Sequence, residues 1–194
     1  MRKRVIFVLL VAINVAFAMT AEAQKVETKL GLYVTAKEAY AMWRANPEEV
    51  KLLDVRTLVE YVFVGHPPMV FNIPAFFQTH RWDSEREMFA MEPNPDFVNQ
   101  VKKWAGTGDT ILVTCRSGER GAMAVNLLAD AGFTNVYNIV DGMEGGVVKD
   151  PDSVFKGRRM KNGWQNSGLP WTYEINLEQI WIPENLRTDV EQPR

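Results

Sequence analysis

Cysteine is almost missing from this chain: Cys115 is the only one in 194 residues. No intramolecular disulfide can form, so stability has to come from packing. The thiol itself is either a free reactive group or an intermolecular partner. Histidine is nearly as scarce, with only His66 and His80. Two histidines and one distant cysteine do not make metal-ligand spacing, so neither a metal nor a cofactor is expected. His66 sits in a Gly-His turn, where structural hydrogen bonding is the expected role. An excess of charge is lacking too, because 22 lysines and arginines oppose 24 aspartates and glutamates for a net charge of −2. That excludes bulk attraction to nucleic acid or to acidic membranes. Internal repeats and low-complexity segments are also absent.

Long apolar runs are missing everywhere except at the start. There "MRKR" is a basic region, "VIFVLLVAINVAFAM" an apolar one, and "AEA" at Ala21 to Ala23 fits a small-x-small cleavage pattern. Residues 1–23 are expected to be a signal peptide, with a cut after Ala18 as an alternative. The mature protein is then exported, to the periplasm, with no stable membrane span. An uncleaved anchor stays open as the other reading, since the apolar run is nearly long enough to cross a bilayer. No cysteine follows the run, which argues against a lipoprotein anchor.

The remainder suits one domain. Thr35 with Glu38 makes a capping box that starts a helix, and Asn46-Pro47 stops it. "VKLLDVR" is a strand ending on Asp54 and Arg56. Thr57 with Glu60 is a second capping box. "MVFNIP" reads as a strand closed by Pro74. Residues 75–95 are aromatic, charged and irregular, and predict a long loop. "NPDFVNQVKKWAGTGD" is a helix, "TILVT" a buried strand, residues 120–131 an apolar helix stopped by Gly132, and "NVYNI" another strand. Strands alternating with helices imply an α/β fold with a mostly parallel central sheet flanked by helices. Residues 183–194 form a polar tail.

Cys115 falls at the carboxyl end of "TILVT", where such sheets bind ligands. "CRSGER" then turns into the next helix. Gly118 permits unusual backbone angles, and successive amides in such a turn can form an anion nest. The helix start adds partial positive charge, and Arg116 and Arg120 add full charges. All three favour thiolate over thiol. Glu119 opposes them unless it points to solvent. Asp54 and Arg56 are expected to be a supporting ion pair near the loop rather than catalytic groups.

These residues resemble a known family. "LLDVRTLVEYVFVGHPPMVFNIPA" is similar to the first signature of rhodanese domains, and "ILVTCRSGERGAMAVNLLADAGFTNVYNIVDGMEG" to the second. "WQNSGLPW" is similar to their closing segment. The resemblance implies a rhodanese-like domain over residues 24–182 that moves a sulfane sulfur. It implies Cys115 as the nucleophile that becomes a persulfide. Residues 116–120 (Arg116, Ser117, Gly118, Glu119 and Arg120) would cradle an anionic donor such as thiosulfate, and the acceptor would be cyanide, a thiol or a protein. Two other readings stay open. One is a non-catalytic sulfur carrier or binding module for a partner protein. The other is a cysteine phosphatase or arsenate reductase, whose loops carry one more residue between cysteine and arginine than are found here. The stretches 75–95 and 147–162 exceed a minimal domain. They read as solvated insertions, or as parts that narrow the pocket or meet a partner, with basic Lys156, Arg158, Arg159 and Lys161 included.

Overall fold

The structure is a computed structural model and describes residues 26–183. The leader expected over residues 1–23 lies outside the described residues. So does the tail expected over 183–194, Pro183 apart.

In chain order the elements are β1 (Tyr33–Val34), α1 (Ala36–Ala45), β2 (Val50–Asp54), α2 (Leu58–Val64), β3 (Phe71–Asn72), β4 (Phe76–Asp83) and β5 (Met88–Pro93). There follow α3 (Phe97–Trp104), β6 (Thr110–Thr114), α4 (Glu119–Asp130), β7 (Val136–Ile139), β8 (Gly146–Val147) and β9 (Arg159–Lys161). Both capping boxes are made: Thr35 and Glu38 cap α1, and Thr57 and Glu60 cap α2.

Five strands form one sheet in the order β1-β7-β6-β2-β3, with every adjacent pair parallel. A parallel sheet is buried on both faces, which is why β6 reads as a continuous apolar run. Side chains alternate along it. Ile111 and Val113 join Phe97 and Val101 of α3 and Val125 and Leu128 of α4 in one apolar cluster. Leu112 faces the other side, with Ala39 of α1, Tyr61 of α2 and Trp164. The same alternation sends Cys115 toward the α3 and α4 side.

Two expectations need correction. Residues 75–95 are not an irregular loop. They form an antiparallel hairpin of β4 and β5, with a register irregularity between Gln78 and Trp82 and the rings of Trp82 and Phe89 edge to face at 5.4 Å. The irregularity breaks the two-residue alternation by which a strand is recognised, so the hairpin was illegible. Helix α4 also starts one residue earlier than expected, at Glu119. The 147–162 stretch is a second small hairpin, closed by β8 pairing with β9.

Leu112 is fully buried in the central strand, so Leu112→Ala is expected to lower the unfolding free energy in denaturant titration by about 3 kcal/mol. Val154→Ala, at a side chain 89% exposed, is expected to change it by less than about 0.5 kcal/mol.

Candidate active site

The carboxyl ends of β2, β6 and β7 lie side by side, and the loops that leave them build the site. The loop after β6 is shaped by its neighbour from β7. The amide of Met143 donates to the Cys115 carbonyl at 2.8 Å, and the amide of Glu144 to the Arg116 carbonyl at 2.9 Å. Two loop carbonyls are thereby turned toward the 141–146 turn. Among the described residues, the amides of Arg116 and Ser117 donate to no acceptor in the protein, and the start of α4 has no side-chain cap. The Gly118 amide points at the Cys115 Sγ, 3.2 Å away.

Glycine is required at two points of this contact. Gly118 has φ +98°, and a Cβ there would lie 2.3 Å from the Val140 carbonyl oxygen. A Cβ on Gly142 would lie 2.6 Å from the Cys115 oxygen and 2.7 Å from the Ser117 nitrogen. Both obstacles are backbone, so no side chain can swing away to relieve them. The turn is itself fastened from behind. The Asp141 carboxylate accepts from the amides of Ala36 and Gly163, while Trp164 and Gln165 donate to the carbonyls of Gly142 and Met143.

Cys115 is 1% exposed and belongs to the apolar cluster that includes Val113 and Val125. Of the other residues singled out in the loop, Ser117 is half-buried, Gly118 buried, and Arg116 and Glu119 exposed. Arg120 does not stand free. Its Nη1 and Nη2 donate to both oxygens of Glu60 at 2.7 and 2.6 Å, which ties α4 to α2. Burial alone would raise the Glu60 carboxyl, but Arg120 and the Thr57 cap outweigh it and bring it down from 4.5 to about 2. Burial also works against the charged Arg120, and Glu60 outweighs that in turn, so Arg120 is held more firmly protonated than usual.

Asp54 and Arg56 form a fully buried pair beneath the loops, with Arg56 Nη2 to Asp54 Oδ2 at 2.7 Å. Arg56 Nη2 also donates to the Gly65 carbonyl at 2.9 Å, and the Asn72 side-chain amide donates to the carbonyls of Asp54 and Arg56. The pair therefore fixes the end of β2. His66 stacks on Tyr61 with ring centroids 3.7 Å apart, and its Nδ1 lies 3.0 Å from the Pro67 carbonyl. Burial lowers its pKa, so the ring is neutral near pH 7, with Nδ1–H donating to that carbonyl. His80 is exposed on β4, and among the described residues no three histidine, cysteine, aspartate or glutamate side chains gather where a metal could sit. A cleft of about 260 Å³ beside His66 is lined by Pro68, Thr172 and Gln179 and by no residue of the cysteine loop.

Two features of the site escaped the sequence reading, Glu60 as the partner of Arg120 and the amides of Met143 and Glu144, while Arg159 was expected only as one of several basic residues in a stretch that narrows the pocket or meets a partner. Arg159 arrives on β9 and donates from Nη1 to the Gly145 carbonyl at 2.7 Å. The glycine-dense "DGMEGG", directly after a strand neighbouring β6, was the available signal for the turn.

The family model for the rhodanese-like domain matches residues 35–148, more than half the chain. The chain belongs to the rhodanese-like domain family. Thiosulfate sulfurtransferase 16, chloroplastic, of Arabidopsis thaliana is 39% identical over 92 residues, covering 47% of this chain and 69% of that protein. Senescence-associated protein DIN1 of Raphanus sativus is 38% identical over 92 residues, 47% of this chain. That match takes in 45% of the radish protein, so the chain spans about half of that relative's length. The crystal structure of Rv0390 from M. tuberculosis aligns with a TM-score of 0.56 at 28% identity, over 73% of this chain and 96% of that one. The five-stranded parallel sheet flanked by helices is thus the rhodanese-like fold that the sequence implied. Among the described residues, no helix is long and apolar enough to cross a membrane.

The Glu60 carboxyl carries a sign for pH. Its folded pKa is depressed, so between 4.5 and about 2 the unfolded chain binds the extra proton. Its contribution to stability is full above that window and is lost as pH falls through it. Glu60→Gln is expected to be less stable at pH 7 in thermal melts and to lose less stability than the parent between pH 5 and about 2.

Proposed function

We propose that this protein is a sulfurtransferase that moves a sulfane sulfur from thiosulfate, or a similar anionic donor, to cyanide or a thiol through a Cys115 persulfide. The reading rests on one observation above the rest. The Gly118 amide lies 3.2 Å from Sγ, in a loop whose neighbouring carbonyls are drawn off by Met143 and Glu144. Backbone N–H groups held in advance stabilise negative charge on sulfur without reorganising during the reaction. In the first step the Cys115 thiolate attacks the outer sulfur of thiosulfate. A new S–S bond forms, the S–S bond of thiosulfate breaks, and sulfite leaves with the electron pair. The negative charge passes to the terminal sulfur of the persulfide. In the second step cyanide attacks that sulfur and leaves as thiocyanate, returning the thiolate. A thiol acceptor takes the sulfur in the same way. No oxidant, metal or separate base is needed.

The name of the Arabidopsis relative agrees with this chemistry. The shorter loop between Cys115 and Arg120 speaks against a phosphatase, whose ring has to enclose a tetrahedral phosphate. The basic and apolar leader supports an exported, periplasmic protein as part of this reading, and there a lone cysteine is useful because it has no internal thiol to pair with. A protein acceptor fits the same chemistry.

Incubation with thiosulfate is expected to add one sulfur atom in intact-mass measurement, and cyanide to remove it as thiocyanate. Cys115→Ser is expected to take up none. A parent protein that gains no sulfur from thiosulfate or any other sulfane donor would reduce the site to a binding module.

A further inference from the structure

Four arginines stand around the cysteine loop, and they are not alike. Arg56 is paired with Asp54, and Arg120 with Glu60. Arg116 and Arg159 have no carboxylate partner within ion-pair distance among the described residues. The uncompensated positive charge at the site therefore comes from one loop residue and one residue of the 147–162 insertion.

The insertion holds Arg159 in place through backbone. Val147 pairs with Arg159 across β8 and β9, and Val148 donates to the Arg158 carbonyl at 2.9 Å. Gly145 is pressed so closely on the far strand that a Cβ would lie 2.2 Å from the Lys161 oxygen. Arg159 Nη1 then donates to the carbonyl of Gly145, one residue beyond the Glu144 amide that holds the Arg116 carbonyl. The remaining N–H groups of Arg159 have no acceptor in the protein among the described residues. The charge of Arg116 is felt at Arg159. Burial and then Arg116 lower the Arg159 pKa, while Glu144 and Cys115 act the other way. A part-buried cation beside an exposed one is unfavourable in the empty protein and becomes favourable once an anion sits between them.

We infer that Arg159 is a substrate-binding residue which, with Arg116, forms a two-guanidinium site beside the Cys115 loop selective for a doubly charged sulfur oxyanion. The inference rests on the sulfurtransferase reading for the meaning of the anion, but not for its existence. A dianion meets both guanidinium groups, whereas a monoanion such as thiocyanate is neutralised by one. The insertion is on this account a specificity element and not a solvated excursion of the chain.

The test uses the full protein carrying Cys115→Ser, so that binding is read without sulfur transfer. Thiosulfate and thiocyanate are titrated in turn by calorimetry. Adding Arg159→Gln is expected to weaken thiosulfate binding about tenfold and thiocyanate binding less than about twofold, with Arg159→Lys recovering part of the loss. Equal weakening of both anions, or thiosulfate binding unchanged within about twofold, would overturn the inference. So would a Cys115→Ser protein that binds no thiosulfate. Absent sulfur uptake by the parent, together with dianion-selective binding that depends on Arg159, would instead uphold this site and sink the sulfurtransferase reading.

Discussion

Two backbone hydrogen bonds carry the rest of the site: Met143 to the carbonyl of Cys115 and Glu144 to that of Arg116. A loop of a few residues cannot aim its amides and its carbonyls at the same point. By taking the carbonyls, the turn after β7 leaves the amide side of the loop for the sulfur. Each such bond nets only about 1 kcal/mol. Their value is geometric, because Gly118 and Gly142 let the two backbones approach more closely than any Cβ would allow. The parallel sheet matters here chiefly because it sets the carboxyl ends of β6 and β7 side by side.

The arginines divide by role. Arg120 looks from its position like part of an anion cradle, yet its guanidinium is spent on Glu60, which also completes the cap of α2. One carboxylate thus fixes the start of one helix and the first turn of another. Asp54 and Arg56 do the same for the end of β2. Removing one member of such a buried pair costs about 3–5 kcal/mol, because the other is left as an unpaired charge. The positive charge free to act on a substrate is left to Arg116 and Arg159, and the charge nearest the sulfur is the partial charge of the Gly118 amide.

Much of this was legible in the sequence for physical reasons. Capping boxes are local, so Thr35 with Glu38 and Thr57 with Glu60 were found as they are made. The apolar run of β6 and the position of Cys115 after it follow from burial on both faces. Long-range contacts were not legible. Nothing in Glu60 announces a partner sixty positions away, and nothing singles out Arg159 from the other basic residues of its stretch. The β4–β5 hairpin escaped because its alternation is broken and much of it is exposed, with Phe77, Trp82 and Phe89 all in contact with solvent. The depth of Cys115 was also missed. A thiol 1% exposed is held by its surroundings on nearly every side, so the direction in which an added sulfur extends is decided by the loop and not by solvent.

That direction is the most direct measure of the account. A crystal structure of the protein after reaction with thiosulfate should show a second sulfur bonded to the Cys115 Sγ and within hydrogen-bonding distance of the 116–119 amides. Met143 and Glu144 should still hold the carbonyls of Cys115 and Arg116. A persulfide turned away from those amides, or a loop that has released both carbonyls to accommodate it, would contradict the claim that the turn after β7 prepares the loop for sulfur.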